Sequence, residues 1–410
     1  MSAASGAIFT ADELARLRAD TPACARFAHF AHGSASLPPA PVFDALQRWL
    51  AAEQAQGTHR ASLLLEEELA QVRPGVARLI GAAAHQIAFV DSASRAWALA
   101  LDAAIDGCKH PVVITTAHEW GANAINLLAA ERRARLRLAH LDRDEDAPLI
   151  DRVHAALRGV AAYETPILSL PLVPNAYGVR LSLEGVAEAI HAHRGLLFVD
   201  ACHAVGQFPV DVGAIKSDVL VFPGRKWLRG PKGIAVLQVS DRALALLGAP
   251  AFMDIAGAQW TGSRTVTMHA DARRFEGFEY HPGLRLALGA ACTYAAGVGL
   301  ERIASRNREL RQLIATRLAQ HFGLQPLEQA HPRATALMTY RLASVDDTAA
   351  IRVLRDAGVN ASVIGPQYAR WALEARGAVA LLRLTPHYIS NDTDIERLAR
   401  ALVQLFQRAA

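Results

Sequence analysis

Six short apolar runs punctuate the first two thirds of the chain: "QIAFV", "PVVITT", "PILSLPLV", "GLLFVDA", "SDVLVF" and "IAVLQVS". Each is four to eight residues long and rich in β-branched residues. Such runs, without polar alternation, predict strands buried on both faces and mostly parallel. Helix-like segments such as "SRAWALALDAAI" and "SLEGVAEAIHAHR" separate them. The alternation predicts an α/β sheet with helices on both faces, over roughly Pro41 to Glu279. From about Gly283 the pattern changes. One long helix is expected through "LGAACTYAAGVGLERIASRNRELRQLIATRLAQHF". Strand-like "TALMTYRL", "NASVI" and "AVALLRLTP" follow, with helical "DDTAAIRVLRDAG" among them. A last helix should start at Asn391 or Asp392 and bury Ile395, Leu398, Leu402 and Leu405 on one face. The expected organisation is an N-terminal segment (1–40), a large α/β domain (41–282) and a smaller α+β domain (283–410).

Composition narrows the class. The chain has 410 residues, 52% hydrophobic and 20% charged, and a net charge of +4. That is a folded profile. The charge is too small to argue for a nucleic-acid partner, so any basic function must be local. The four cysteines form no C-x-x-C pair, so neither a zinc site nor a disulfide framework is expected. The start, "MSAASGAIFTADELARLRAD", has no apolar core of a signal peptide, and the cytoplasm is the expected compartment. The longest uncharged apolar run, Leu286 to Leu300, is too short to span a membrane. It reads as a core helix or a subunit contact.

In open α/β sheets ligands gather at the carboxyl ends of the strands. "QIAFV" ends in Asp91-Ser92-Ala93-Ser94 with a helix next, which suits an anion or merely a helix cap. "PVVITT" leads to Trp120. "PILSLPLV" leads to Asn175, an ordinary turn residue or a ligand contact. "GLLFVDA" ends in Asp200, with His203 three residues on; a buried aspartate there calls for a cationic partner. "SDVLVF" runs into "PGRKWLRGPKG", which holds Arg225, Lys226, Arg229 and Lys232. Together these ends describe a ligand with a phosphate, a flat ring, a ring nitrogen that wants an anion, and a carbonyl that wants an amine. Pyridoxal 5'-phosphate has those parts, held by a lysine through a Schiff base and by an acid at the pyridinium.

The stretch "FVDACHAVGQFPVDVGAIKSDVLVFPGRKWLRGPKGIAVL" resembles the signature of class V aminotransferase-fold enzymes, the group of cysteine desulfurases, selenocysteine lyases and isopenicillin N epimerases. "HGSASLPPAPVFDALQRWL", "HEWGANAINLL", "RFEGFE" and "LLRLTPHYISNDTDIERL" resemble its other landmarks. The resemblance implies a fold-type I pyridoxal-phosphate enzyme, a homodimer acting on a small amino acid, with no metal. It implies that Lys226 carries the cofactor and moves the Cα proton. Asp200 pairs with the pyridinium, Trp120 stacks on the ring, and His203 and Asn175 lie near the phenolic oxygen. Ala93, Ser94 and Arg225 hold the phosphate, and Arg383 grips the substrate carboxylate; read without the family, Arg383 is a charge covering a strand edge. Arg229 and Lys232 are expected to be solvated.

Departures from the family carry information. Many members have a phosphate-binding serine where Pro223 stands, and a threonine after the "RFEGFE" landmark where this chain has Phe278 and Glu279. Desulfurases keep a sulfur-accepting cysteine on a loop that matches "ASVIGPQYARWALEARG"; this stretch has none. "GRKWLRGPKG", "RFEGFE" and "QGTHRAS" most resemble the hercynylcysteine sulfoxide lyases of ergothioneine biosynthesis. A β-eliminating C–S lyase is therefore expected, with an epimerase or aminotransferase of the same fold as the alternative. His32, His59, Tyr280, His281 and Tyr368 are candidates for the remaining acid or base. A regulator module that binds DNA would need a helix-turn-helix ahead of Pro41, and no such pattern is visible.

Overall fold

A computed structural model describes residues 8–144, 147–329, 331–342 and 347–409. Seven strands form the main sheet: β1 (Ile87–Val90), β2 (Pro111–Thr115), β3 (Arg137–His140), β4 (Thr165–Pro171), β5 (Leu196–Asp200), β6 (Val219–Pro223) and β7 (Ala235–Val239). Their order is β1-β7-β6-β5-β4-β2-β3. Only β7 pairs antiparallel with its neighbours. All six apolar runs are strands of this sheet. The seventh, β3, is half exposed at the edge and lacks an apolar run, which is why the pattern misses it.

Helices α1 (Ala93–Gly107) and α2 (Gly121–Arg132) follow β1 and β2 directly. The side chains of the sheet divide between two cores, one for each face. The buried Asp218 of the "SD" pair ties the sheet together rather than serving the ligand edge. Its carboxylate accepts from Leu197 N–H, from Arg242 at 2.8 Å and pairs with His191 at 2.8 Å.

The expected single long helix after residue 282 is two. α3 (Pro282–Val298) and α4 (Leu300–Phe322) meet at 75°. Gly299 sits between them at φ 92°, a backbone state that a side chain would resist. α3 buries Leu286, Leu288, Ala291 and Cys292 in the large core. Most of its apolar run packs into the large core, Thr293, Ala296 and Gly297 remain exposed, and Leu300 and Ala304 of α4 still pack on that same core. Among the described residues no single helix is long and apolar enough to cross a membrane.

Beyond α4 lies a three-stranded antiparallel sheet of β8 (Met338–Tyr340), β9 (Ser362–Ile364) and β10 (Leu381–Leu384), ordered β8-β10-β9. α5 (Asp392–Ala409) covers it and buries the four expected leucine and isoleucine positions. Asn391 is its cap: Asp394 N–H donates to the Asn391 side chain at 3.0 Å, and Asn391 N–H donates back to Asp394 at 3.1 Å. The N-terminal segment joins this part of the protein. Ala28–His29 pairs in parallel with Val359–Asn360, and Ala31 bridges to Thr385. Residues 32–36 are thereby carried across to the ligand edge of the large sheet.

Candidate active site

The carboxyl ends of β1, β2, β4, β5 and β6 share one edge, and the reversed β7 brings its lead-in, Lys232 to Ile234, to that same edge. A cleft of about 240 Å³ opens there. Ala93, Ser94, Trp120, Asn175, Asp200, His203, Arg225 and Lys226 all line it. The structure thus gathers eight residues spread over 134 positions of sequence. Arg383 stands just behind the lining, joined to it through Asn175.

Lys226 is buried, and its Nζ lies 3.3 Å from His203 Nε2 and 5.6 Å from the centre of the Trp120 ring. Burial is the main cause that lowers its pKa; Arg225 and Arg383 push the same way, against Cys202 and Asp200. A lowered pKa leaves more of the amine unprotonated, and the free amine is the form that attacks a carbonyl. Asp200 is 7% exposed, and its Oδ1 accepts from Cys202 N–H at 2.8 Å. Its carboxylate stands on the cleft lining, where a cation in the cleft can meet it.

At the α1 end, Ser92 caps the helix by accepting from Arg95 N–H at 3.3 Å. The Ala93 and Ser94 N–H groups belong to the first turn and have no carbonyl within the helix to serve. They face the cleft beside Arg225 and Lys232. Lys232 is exposed, as expected, and stands at the rim of the cleft. Arg229 departs further from expectation. It is 1% exposed and donates to Leu37 O at 2.9 Å and to the hydroxyls of Tyr388 and Thr21, each at 2.5 Å. It stitches the cofactor-edge turn to the N-terminal segment and to the small domain.

Asn175 gives its side-chain oxygen to Arg383 Nη1, which leaves its Nδ2 buried without a hydrogen-bond partner. That orphaned donor asks for an oxygen in the cleft. Arg383 is 2% exposed, donates from Nη2 to Ser34 Oγ at 2.7 Å, and keeps an unpartnered Nε. Burial, then Arg225, pulls its pKa down to about 9. No carboxylate among the described residues pairs with it, so this buried cation is matched to an anion from outside. Ser34 also offers its carbonyl to Arg225, which couples the two arginines through the N-terminal segment.

Sequence reading missed Glu119. Its Oε1 accepts from Trp120 N–H at 2.9 Å and Asn123 Nδ2 at 3.0 Å, and its Oε2 from Ser169 at 2.7 Å and Thr115 at 2.8 Å. Burial raises its pKa against those bonds. A carboxylate in a short turn just before an aromatic was the available signal. It fixes Trp120, whose indole also donates to Ser94 at 3.2 Å. Tyr368 stacks on Trp120 with centroids 5.7 Å apart, so that candidate lies at the mouth. His32 is buried against Ser36 at 2.6 Å and His387, away from the cleft lining. His59 is exposed on a separate helix. Tyr280 and His281 line a neighbouring cleft that shares Asp91 and Gly233 with this one. Glu276 of "RFEGFE" is structural, paired with Arg73 at 2.7 Å and Arg285 at 3.4 Å.

The model of the Aminotransferase class-V family matches residues 29–398. The chain belongs to the class V aminotransferase family. A probable cysteine desulfurase of Pyrococcus abyssi is 25% identical over 72% of this chain and 73% of its own length. The isopenicillin N epimerase of Amycolatopsis lactamdurans is 28% identical over 62% of this chain and 64% of its own length. Among solved structures, apo cysteine desulfurase from Thermococcus onnurineus NA1 superposes with a TM-score of 0.85 at 20% identity. It covers 96% of this chain and 98% of that one. The cystine C-S lyase C-DES in complex with cysteine persulfide gives 0.77 at 18% identity, over 93% and 98%. These likenesses show the α/β fold with its mostly parallel central sheet. Class V membership makes the protein a pyridoxal-phosphate enzyme. The cleft suits that cofactor: a buried amine, a buried acid, free N–H groups with two cations, and an orphaned amide donor.

Proposed function

We propose that this class V enzyme is a C–S lyase that cleaves the Cβ–S bond of a cysteine-derived amino acid, of the hercynylcysteine sulfoxide type found in ergothioneine synthesis. One observation separates this reading from sulfur transfer to a protein cysteine, and the resemblance of "GRKWLRGPKG", "RFEGFE" and "QGTHRAS" to the sulfoxide lyases favours it over epimerisation or transamination. Of the four cysteines only Cys202 lines the cleft, and it is buried, with its thiol pushed well up by burial and Asp200. The stretch 361–377 folds as β9 and the helix Pro366–Ala375, holds no cysteine, and stacks Tyr368 on Trp120. No thiolate is on hand to take up sulfur. The sulfur must then leave bonded to the rest of the substrate.

Pyridoxal 5'-phosphate supplies an aldehyde for amine attack and a cationic ring that draws electrons from Cα. Asp200 is positioned to keep the ring nitrogen protonated. Ala93, Ser94, Arg225 and Lys232, which line the cleft together, would hold the phosphate, the cations offsetting the hydroxyl lost at Pro223. Trp120, held by Glu119 and Ser94, would stack on the ring, and Asn175 Nδ2 would donate to the phenolic oxygen. Arg383 binds the substrate carboxylate. Lys226 would take the Cα proton, and the Cβ–S bond would break with its electron pair going to sulfur, so that the sulfur group of a sulfoxide substrate departs as a sulfenate. The three-carbon remainder takes up water and yields pyruvate and ammonia.

We also propose a cytoplasmic homodimer with the domain division near residue 283. The hairpin Ala258–Gly262/Thr265–Met268 exposes Trp260 to 76%, and Phe278 stands out beside the second cleft; a second copy would cover both. The reaction is tested by giving the holoenzyme an S-substituted cysteine sulfoxide. Equimolar pyruvate and ammonia, absent with Lys226→Ala, are expected. Inverted Cα configuration without pyruvate would favour the epimerase reading.

A further inference from the structure

Lys226 and Trp227 are neighbours in sequence, yet they reach His203 from opposite sides of its ring. Lys226 Nζ lies 3.3 Å from Nε2, and the Trp227 indole nitrogen lies 3.3 Å from Nδ1. An indole N–H can only donate. Nδ1 must therefore present its lone pair, and the ring proton of a neutral His203 must sit on Nε2. Turning the ring over would set carbons against both neighbours and lose both contacts.

We infer that Trp227 is a positioning residue that holds His203 in the Nε2–H tautomer, so that His203 acts in the cleft as a hydrogen-bond donor and not as a proton acceptor. The surroundings enforce it. His203 is 3% exposed, and its carbonyl accepts from Gln207 Nε2 at 2.6 Å. A Cβ built on Gly33 would stand 3.4 Å from both Cε1 and Nδ1, so the ring edge is closed in by the N-terminal segment. The cations facing His203 are Lys226 and Arg225 of the large domain and Arg383 of β10; with burial, the largest cause, they hold the imidazole neutral. Trp227 is itself locked. It is buried, its carbonyl lies 2.8 Å from His387 Nε2, and its ring meets the His387 edge at 89°.

The arrangement has two consequences. An Nε2–H pointed at Lys226 needs a lone pair on Nζ as acceptor, so in the cofactor-free protein the amine is neutral, in keeping with its depressed pKa. And His203 Nε2 has no lone pair to offer a substrate proton, which leaves Lys226 as the base on that side of the cleft. The second point rests on the pyridoxal-phosphate reading of the site; the tautomer does not.

The test is a two-bond proton–nitrogen correlation spectrum of holoenzyme labelled with ¹⁵N-histidine. The His203 signals are assigned by their loss in His203→Gln. A protonated Nε2 with an unprotonated Nδ1 is expected in the wild type, unchanged from pH 6 to 9. In Trp227→Phe, which keeps an aromatic ring but removes the donor, that pure pattern should be lost in favour of mixed or Nδ1–H forms. An Nδ1–H wild type overturns the inference, as does a Trp227→Phe enzyme that keeps pure Nε2–H. If the variant does not fold, the wild-type spectrum still decides. Cofactor absorbance of the same sample reports separately on the cofactor reading.

Discussion

Histidines buried in neutral form make a quantitative claim about acid stability. His387 is fully buried between Trp227, Asn307 and Tyr388; burial, then Arg229, lowers its pKa to about 3. Its ring packs on His32, which burial and the neighbouring His29 and His387 hold well below the usual range. In the unfolded chain each titrates near pH 6.5. The folded pKa is depressed, so the stability is present above pH 6.5 and is lost as pH falls toward the folded value. Between pH 7.5 and 5.5 the unfolded state gains nearly one proton at His387 and the native state none. That amounts to about 1.4 kcal/mol for this one residue. Glu119 and Glu328, whose pKa values are raised by burial, act with the opposite sign. A comparison of two proteins that share them removes their effect. The perturbation is His387→Gln, and urea unfolding of both proteins at pH 7.5 and 5.5 is the assay. The stability lost on going to pH 5.5 should be smaller in the variant by about 1.4 kcal/mol. Equal losses in the two proteins would refute the neutral, buried state of His387.

Further outcomes follow from other residues. Arg383→Lys cannot reproduce the forked contacts to Asn175 and Ser34, and should raise KM for the amino-acid substrate about 10- to 150-fold (roughly 1.5–3 kcal/mol), with a smaller change in kcat. Steady-state kinetics checks it, and an unchanged KM would remove Arg383 from substrate binding. Glu119→Ala strips four donors of their acceptor and should cost about 3 kcal/mol of stability in urea unfolding, together with a shift in the fluorescence of Trp120. Gly206→Ala places a Cβ 2.4 Å from Leu228 N at φ 90°, and should destabilise the fold by about 3 kcal/mol or more. A variant with wild-type melting behaviour would show that this close approach is not needed.

Much of this site can be read in the sequence because it is built at strand ends. Uniform apolar runs mark β1, β2, β4, β5 and β6, so the polar residues just after them stand out. Asp200 and Lys226 follow almost mechanically from that. What stays hidden has a different origin. Arg229 looks like one more charge in a basic turn, but packing against Tyr388, Thr21 and Leu37 buries it, and those partners come from both ends of the chain. Ser34 reaches the cleft only because Ala28–His29 pairs with Val359–Asn360, a contact between segments 331 residues apart. β3 is half exposed and carries an arginine and a histidine, so hydrophobicity alone passes over it. Gly206, inside the stretch that resembles the family signature, carries no mark of its role in the sequence. That role is set by the backbone of Trp227 and Leu228 pressed against it.

The central claim is that Lys226 removes a Cα proton and that loss of the sulfur group then follows. Proton NMR of a cysteine-conjugate sulfoxide incubated with holoenzyme in deuterium oxide tests it most directly. The account predicts loss of the substrate signals in step with the appearance of pyruvate, with no build-up of substrate deuterated at Cα. Substrate that exchanges its Cα proton for deuterium while keeping its Cβ–S bond, and no pyruvate, would contradict it.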